Sequence, residues 1–219
     1  MKTATIISKA FVVLVLAAMA TPVFSQNKKD SPADEKQKQF VELSKTNENH
    51  KLLAGMTGTW SFEGKHIFPD PAMKPFEFRG TIIKKSLLGG RYFITETTSN
   101  GKMKMPWSEG ELVTYSDMTI EGYDNITKKF VAANIANETN TGIITYEGSY
   151  DPITKTITYE AQSATHMHKD IAPGTMMKFR ELVKIIDNDH FILEHHESIG
   201  GKEIIVTELK YARIKSELN

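Results

Sequence analysis

The polar residues that fall in phase with apolar ones set the chemistry open to this chain. In "TMMKFRELVKIID", alternation puts Met177, Phe179, Val183 and Ile185 on one face with Glu181, and Lys178, Arg180 and Lys184 on the other. A carboxylate on a buried apolar face costs roughly 3–5 kcal/mol if nothing pairs with it. Glu181 must therefore meet a buried cation, hold a proton, or contact water or a ligand. In "TWSFEGKH", His66 is in phase with Trp60 and Phe62; in "HFILEHH", His195 is in phase with Phe191 and Leu193. Each histidine is either a ligand contact or a partly solvated residue at a strand end. Glu181 beside one of them would form an acid–base pair. Phe179, Leu193 and Trp107 supply apolar contact to the same candidate ligand site. Trp107 is in phase with Met103 and Met105 beside Pro106, which marks an edge or a bulge at a rim.

Other groups are weaker candidates. His166 and His168 share one strand face at a spacing that suits zinc or copper, but that face is polar and no third ligand is placed. His195 and His196 point to opposite faces of a regular strand and cannot chelate together. The chain has no G-x-S-x-G, P-loop, dinucleotide-binding, H-E-x-x-H or C-x-x-C pattern. The expectation is no catalytic residue, no metal and no cofactor.

The elements that must position these residues are strands. From Thr59 onward about eleven runs of strand-forming residues recur, from "TWSFEGKHIF" to "KEIIVTELKYARI". Separators such as "SNGK", "DNITK", "DPITK", "DNDH" and "IGGK" are built of turn formers. No helical run intervenes, so the pattern is an all-β antiparallel meander. Such a meander closes into an up-and-down barrel to remove its edges, here with about 8–11 strands. "EGYDNITKKFV" and "GSYDPITKTITY" read as one hairpin chemistry used twice. Phe68 to Pro75 is a proline-rich connection, either a plain loop or a lid.

Ahead of the barrel, "NENHKLLAGMTG" reads as a short helix capped by Asn47 or Asn49 and stopped by Gly55 and Gly58, closing one end. Residues 26–48 read as a polar linker, helical in part, with a helix start at Ser31-Pro32. Residues 1–25 combine Lys2 and Lys9, the apolar run "AFVVLVLAAMA" and small Ser25, the pattern of a secretory signal cleaved near Ser25–Gln26. That run is well short of the ~20 residues of a membrane-spanning helix. Residues 49–219 then form a single barrel domain.

Composition excludes more than it selects. The 27 basic and 27 acidic residues balance, so nothing steers the chain toward nucleic acid or an anionic membrane. With no cysteine there is neither a disulfide nor a cysteine-linked lipid. The expectation is a soluble exported protein, periplasmic or extracellular, without a membrane span and of open oligomeric state. The sequons Asn125-Ile-Thr and Asn137-Glu-Thr matter only in a glycosylating secretory pathway.

A short helix followed by Gly58-Thr59-Trp60 at the first strand, with Arg213 at the end of the last, resembles the calycin group that includes the lipocalins. That resemblance implies that Arg213 packs across Trp60 at the closed end, and its phase carries Ile205, Leu209 and Tyr211 inward. "HKLLAGMTGTW", "LLGGRYFITE", "EGYDNITKKF" and "FRELVKI", in this order, resemble the bacterial domain-of-unknown-function family 1579, which implies a barrel and no established activity. The leading expectation is a non-catalytic carrier or sensor for a small, largely apolar molecule inside the barrel. The alternatives are a barrel holding haem through an inward histidine, as some calycin relatives do, an enzyme using Glu181 with an inward histidine, and a filled barrel of structural role.

Overall fold

A computed structural model describes residues 31–68, 74–104, 110–137, 142–164, 171–172, 174–199 and 201–215. The secretory signal expected at residues 1–25, Trp107, His166 and His168 lie outside the described residues. The chain divides into two units, Met1–Gln39 and Phe40–Asn219. The described part of the first is the opening of helix α1 (Pro32–Leu43). Ser31 caps it: its hydroxyl accepts the Asp34 amide at 3.2 Å, and the Asp34 carboxylate accepts the Ser31 amide at 3.0 Å. Pro32, with no amide hydrogen to lose, takes the first helical position.

The second unit holds α2 (Glu48–Gly55) and twelve strands: β1 (Gly58–His66), β2 (Phe76–Leu87), β3 (Tyr92–Ser99), β4 (Met103–Lys104), β5 (Leu112–Val113), β6 (Ser116–Asp124), β7 (Lys129–Ala136), β8 (Ile144–Asp151), β9 (Thr156–Ala164), β10 (Met176–Ile185), β11 (His190–Ile199) and β12 (Lys202–Arg213). Ten of them close into an antiparallel barrel in the order β1-β12-β11-β10-β9-β8-β7-β6-β3-β2. Every barrel strand pairs with its chain neighbour except across β3 and β6, where the small β4–β5 ladder stands apart. The run "KMPWSEGELVTYS" thus gives that ladder, and the ten other strand-like runs give the barrel. Closure occurs where β1 meets β12, with Trp60 opposite Arg213 and His66 opposite Thr207.

The two ends differ. At the end where β1 begins, the connections 88–91, 125–128, 152–155 and 186–189 are each four residues long. Two of them are one device repeated. Asp124 accepts the Ile126 amide and the Thr127 hydroxyl, both at 2.8 Å, and Lys128 adopts φ 60°. Asp151 accepts the Ile153 amide at 2.9 Å and the Thr154 hydroxyl at 2.8 Å, and Lys155 adopts φ 51°. Those donors hold both carboxyls below their ordinary value.

Helix α2 plugs this end. Asn47 caps it, accepting the Asn49 and His50 amides, while the His50 ring accepts the Asn47 amide at 3.1 Å. The Asn125 carboxamide ties the helix entry to the β6–β7 turn, donating to Leu43 O at 2.8 Å and Lys45 O at 2.7 Å and accepting from Asn47 at 2.7 Å. Leu53 and Met56 join Trp60, Phe93, Phe130 and Phe191 in the core. Beneath them, the Arg213 guanidinium lies 4.0 Å above the Trp60 ring and donates to the carbonyls of Thr57 and, at 2.7 Å, of Gly55. The Trp60 indole donates to Met56 O at 3.0 Å. Gly58 is required here because its φ is +126°, a conformation that side chains rarely adopt.

One inward assignment is corrected. The β11–β12 register shifts between His195 and His196, so that His195 pairs with Thr207 but His196 pairs with Ile205. Val206 is the extra residue of this bulge. Residues before it change face, and Ile205, expected inward, is 38% exposed.

Candidate functional site

A cavity of about 400 Å³ occupies the barrel between the α2 plug and the opposite end. Its lining joins residues that the sequence marks with others that it hides. His66, Phe179, Glu181, Leu193 and His195 all line it. Four strands bring the polar members side by side: Glu181 on β10 pairs with His195 on β11, His195 with Thr207 on β12, and Thr207 with His66 on β1. His196, on the outer face, instead contacts Glu194 at 2.9 Å.

His195 sits between two carboxylates, with Nδ1 3.3 Å from Glu181 and Nε2 3.7 Å from Glu197. The Tyr146 hydroxyl also donates to Glu181, at 3.3 Å. Burial alone would lower the His195 pKa, but the hydrogen bonds and charges of Glu181 and Glu197 outweigh it and hold the imidazole up at about 9. His66 differs. Burial lowers its pKa and outweighs the Glu197 charge, which favours the neutral ring, and its Nδ1 lies 2.9 Å from the Thr207 hydroxyl.

The His195 shift has a stability consequence. Its folded value lies above the ordinary 6.5, so the stabilisation is complete below about pH 6.5 and is lost as pH rises through about 9. Over that window the intact protein should lose about 2–3 kcal/mol of unfolding free energy relative to His195→Gln. Urea denaturation of both proteins across the window tests this. Parallel pH profiles would show that the ring gains nothing from its carboxylates.

Lys84, Asp117 and Glu121 also line the cavity and were not singled out in the sequence; Tyr159, inward by the alternation of its strand with Ile157 and Ala161, lines it too. Lys84 on β2 and Glu121 on β6 form an ion pair whose side chains are 5% and 11% exposed, and Tyr159 donates to Glu121 at 3.0 Å. Asp117 accepts from the Tyr115 hydroxyl at 2.9 Å, the Thr97 hydroxyl at 3.0 Å and the Asn134 amide at 3.5 Å. Burial raises its carboxyl pKa despite these donors. The phase of Lys84 with Phe78 and Ile82 was a usable signal. Asp117 and Glu121 gave none, because Met118 and Ile120 make the opposite face of β6 look like the inward one.

The rest of the lining is largely aromatic and aliphatic, including Phe62, Phe78, Ile82, Val183 and Leu209, with Thr95, Thr119, Ser163 and Glu197 as further polar members. The arrangement can enclose a small body against rings and offer it a few fixed polar groups. Among the described residues, no helix is long and apolar enough to cross a membrane.

Comparisons with known proteins bear on the fold. The crystal structure of Rv2717c from M. tuberculosis superimposes with a TM-score of 0.51 at 12% identity, covering 78% of this chain and 100% of that one. The S-type phycobiliprotein lyase CPES from Guillardia theta gives a TM-score of 0.44 at 11% identity, over 81% of this chain and 98% of that one. The first likeness shows a shared fold alone, and the second is too slight to carry further weight. No curated protein matches the sequence significantly. The family described as "Protein of unknown function (DUF1579)" matches residues 45–213, the segment that builds the plug and the barrel, and the chain belongs to that family.

Proposed function

We propose that this protein is an exported, non-catalytic carrier or sensor that holds a small, largely apolar molecule inside its barrel. The observation that carries this reading is the cavity of about 400 Å³, within the ~300–1,000 Å³ range of small-molecule sites. Aromatic walls enclose it, and the Trp60–Arg213 floor and α2 close one end. Export rests on Lys2, Lys9 and the eleven-residue apolar run that precedes Ser25. The pairing of Glu181 with His195 favours binding over acid–base catalysis. A histidine held protonated up to about 9 is a fixed cation near neutrality and a poor proton acceptor there.

Native mass spectrometry of the protein purified from the host that makes it tests both parts. The expected spectrum shows a chain beginning near Gln26, with a small-molecule adduct that is lost on denaturation. An exported form retaining Met1 would overturn export. A bare mass, together with no uptake of small apolar probes, would overturn the carrier reading.

A further inference from the structure

Ion pairing inside the cavity leaves carboxylate in excess: Asp117, Glu121, Glu181 and Glu197 line it, against Lys84 and His195. Lys84 is matched by Glu121, and His195 is shared between Glu181 at 3.3 Å and Glu197 at 3.7 Å. Burial pushes the His66 pKa down and so favours its neutral form. Asp117 lines the same cavity, and the three groups that hydrogen-bond to it, Tyr115, Thr97 and Asn134, are all neutral. Among the described residues that line the cavity, no cation remains for it. Burial, and after it the Glu181 charge, favour the protonated form of Asp117 in the empty cavity, and a cation set against it would favour the carboxylate. Burial first, and then the fields of Asp117 and Glu181, hold the Tyr211 phenol neutral, so both carboxylates bear on one enclosed volume.

The walls point the same way. Phe62, Phe78, Tyr146, Tyr159, Phe179 and Tyr211 all line the cavity. Aromatic faces attract cations and repel anions, most strongly where water is excluded. An anionic ligand would meet Asp117 and Glu181 with no spare cation to receive it. A cation would meet Asp117 with no competitor, while its apolar body fills the aromatic space.

We infer that the cavity is built for an amphipathic cation: an amine or amidine head set against Asp117, on an aromatic or aliphatic body held by the walls. This rests on the carrier reading and names its ligand class. It also assigns Asp117 as the specificity-determining residue.

Three naphthalene probes of one shape test it by calorimetric titration into the signal-free chain: naphthalene-ethylamine, naphthalene-ethanol and naphthalene-acetate. The amine should bind at least about tenfold more tightly than the alcohol, and the acetate most weakly. Asp117→Asn should erase the preference for the amine over the alcohol. Equal binding of amine and alcohol, or tighter binding of the acetate, would overturn the cationic assignment while leaving the carrier reading intact. Failure of all three to bind, with no adduct on the native protein, would overturn both. If Asp117→Asn does not fold, the three-probe comparison on the unaltered chain decides the question.

Discussion

Trp60→Ala should lower the unfolding free energy by about 3–5 kcal/mol, the range for emptying a large aromatic site in a core. Trp60 is 2% exposed, and it packs on Phe191 edge to face with ring centroids 4.9 Å apart. Its indole and the Arg213 guanidinium together satisfy the carbonyls of Met56, Thr57 and Gly55, where α2 runs into β1. Truncation therefore opens a void and also frees the joint between plug and barrel. Arg213→Ala should cost less, because it removes hydrogen bonds and one cation–ring contact but little apolar volume. It should also red-shift the Trp60 emission by admitting water over the ring. Denaturant unfolding gives the energies, and fluorescence in a Trp107→Phe background isolates Trp60. An exposed-indole spectrum from the intact protein, or a loss below about 1 kcal/mol in Trp60→Ala, would refute the floor assignment.

The floor was legible through the resemblance to the calycin group, carried by the short helix that Gly58 stops, by Trp60 at the start of an alternating run, and by Arg213 at the end of the last strand. The meander was legible because its turn chemistry and its alternation mark the same boundaries. Asp124 and Asp151 show this most directly: two similar sequences make two superimposable sets of side-chain hydrogen bonds.

Alternation fails where its premise fails. It assumes that the apolar face is the inner one. On β6 the inner face is Asp117, Thr119 and Glu121, while Ile120 on the outer face is 46% exposed. On β7 Asn134 points inward and Ile135, at 48%, points outward. At these positions the wall is polar inside and apolar outside, so hydropathy reads them inverted. Ile205 failed for a different reason. A bulge changes the phase of every residue beyond it, and an extra residue in a strand leaves no mark in composition. On β10 and β11 the wall is apolar enough for a single polar residue to stand out, and there Glu181 and His195 could be placed inward and then found in contact. Lys84 was within reach of the same reasoning, and its partner was not.

That hidden pair sets the second large effect expected. Lys84→Met should destabilise the protein by about 3–5 kcal/mol, because it leaves Glu121 ionised in the interior without its cation. The Tyr159 hydroxyl, 3.0 Å from Glu121, is a neutral donor and offsets only part of that loss. Glu121→Gln should cost a similar amount by stranding the lysine, though it keeps an acceptor for Tyr159. The double variant removes both charges together and should cost clearly less than the two single changes added. Its cavity would also be unchanged in net charge, since the pair cancels itself. Binding of the amine probe by the double variant should therefore persist wherever the fold does, whereas Asp117→Asn should abolish the preference for that probe without a comparable loss of stability. Urea unfolding of the three variants measures the coupling. Strict additivity would mean that Lys84 and Glu121 do not share a dry interior, and the allotment of cavity charge that leaves Asp117 over would fall with it.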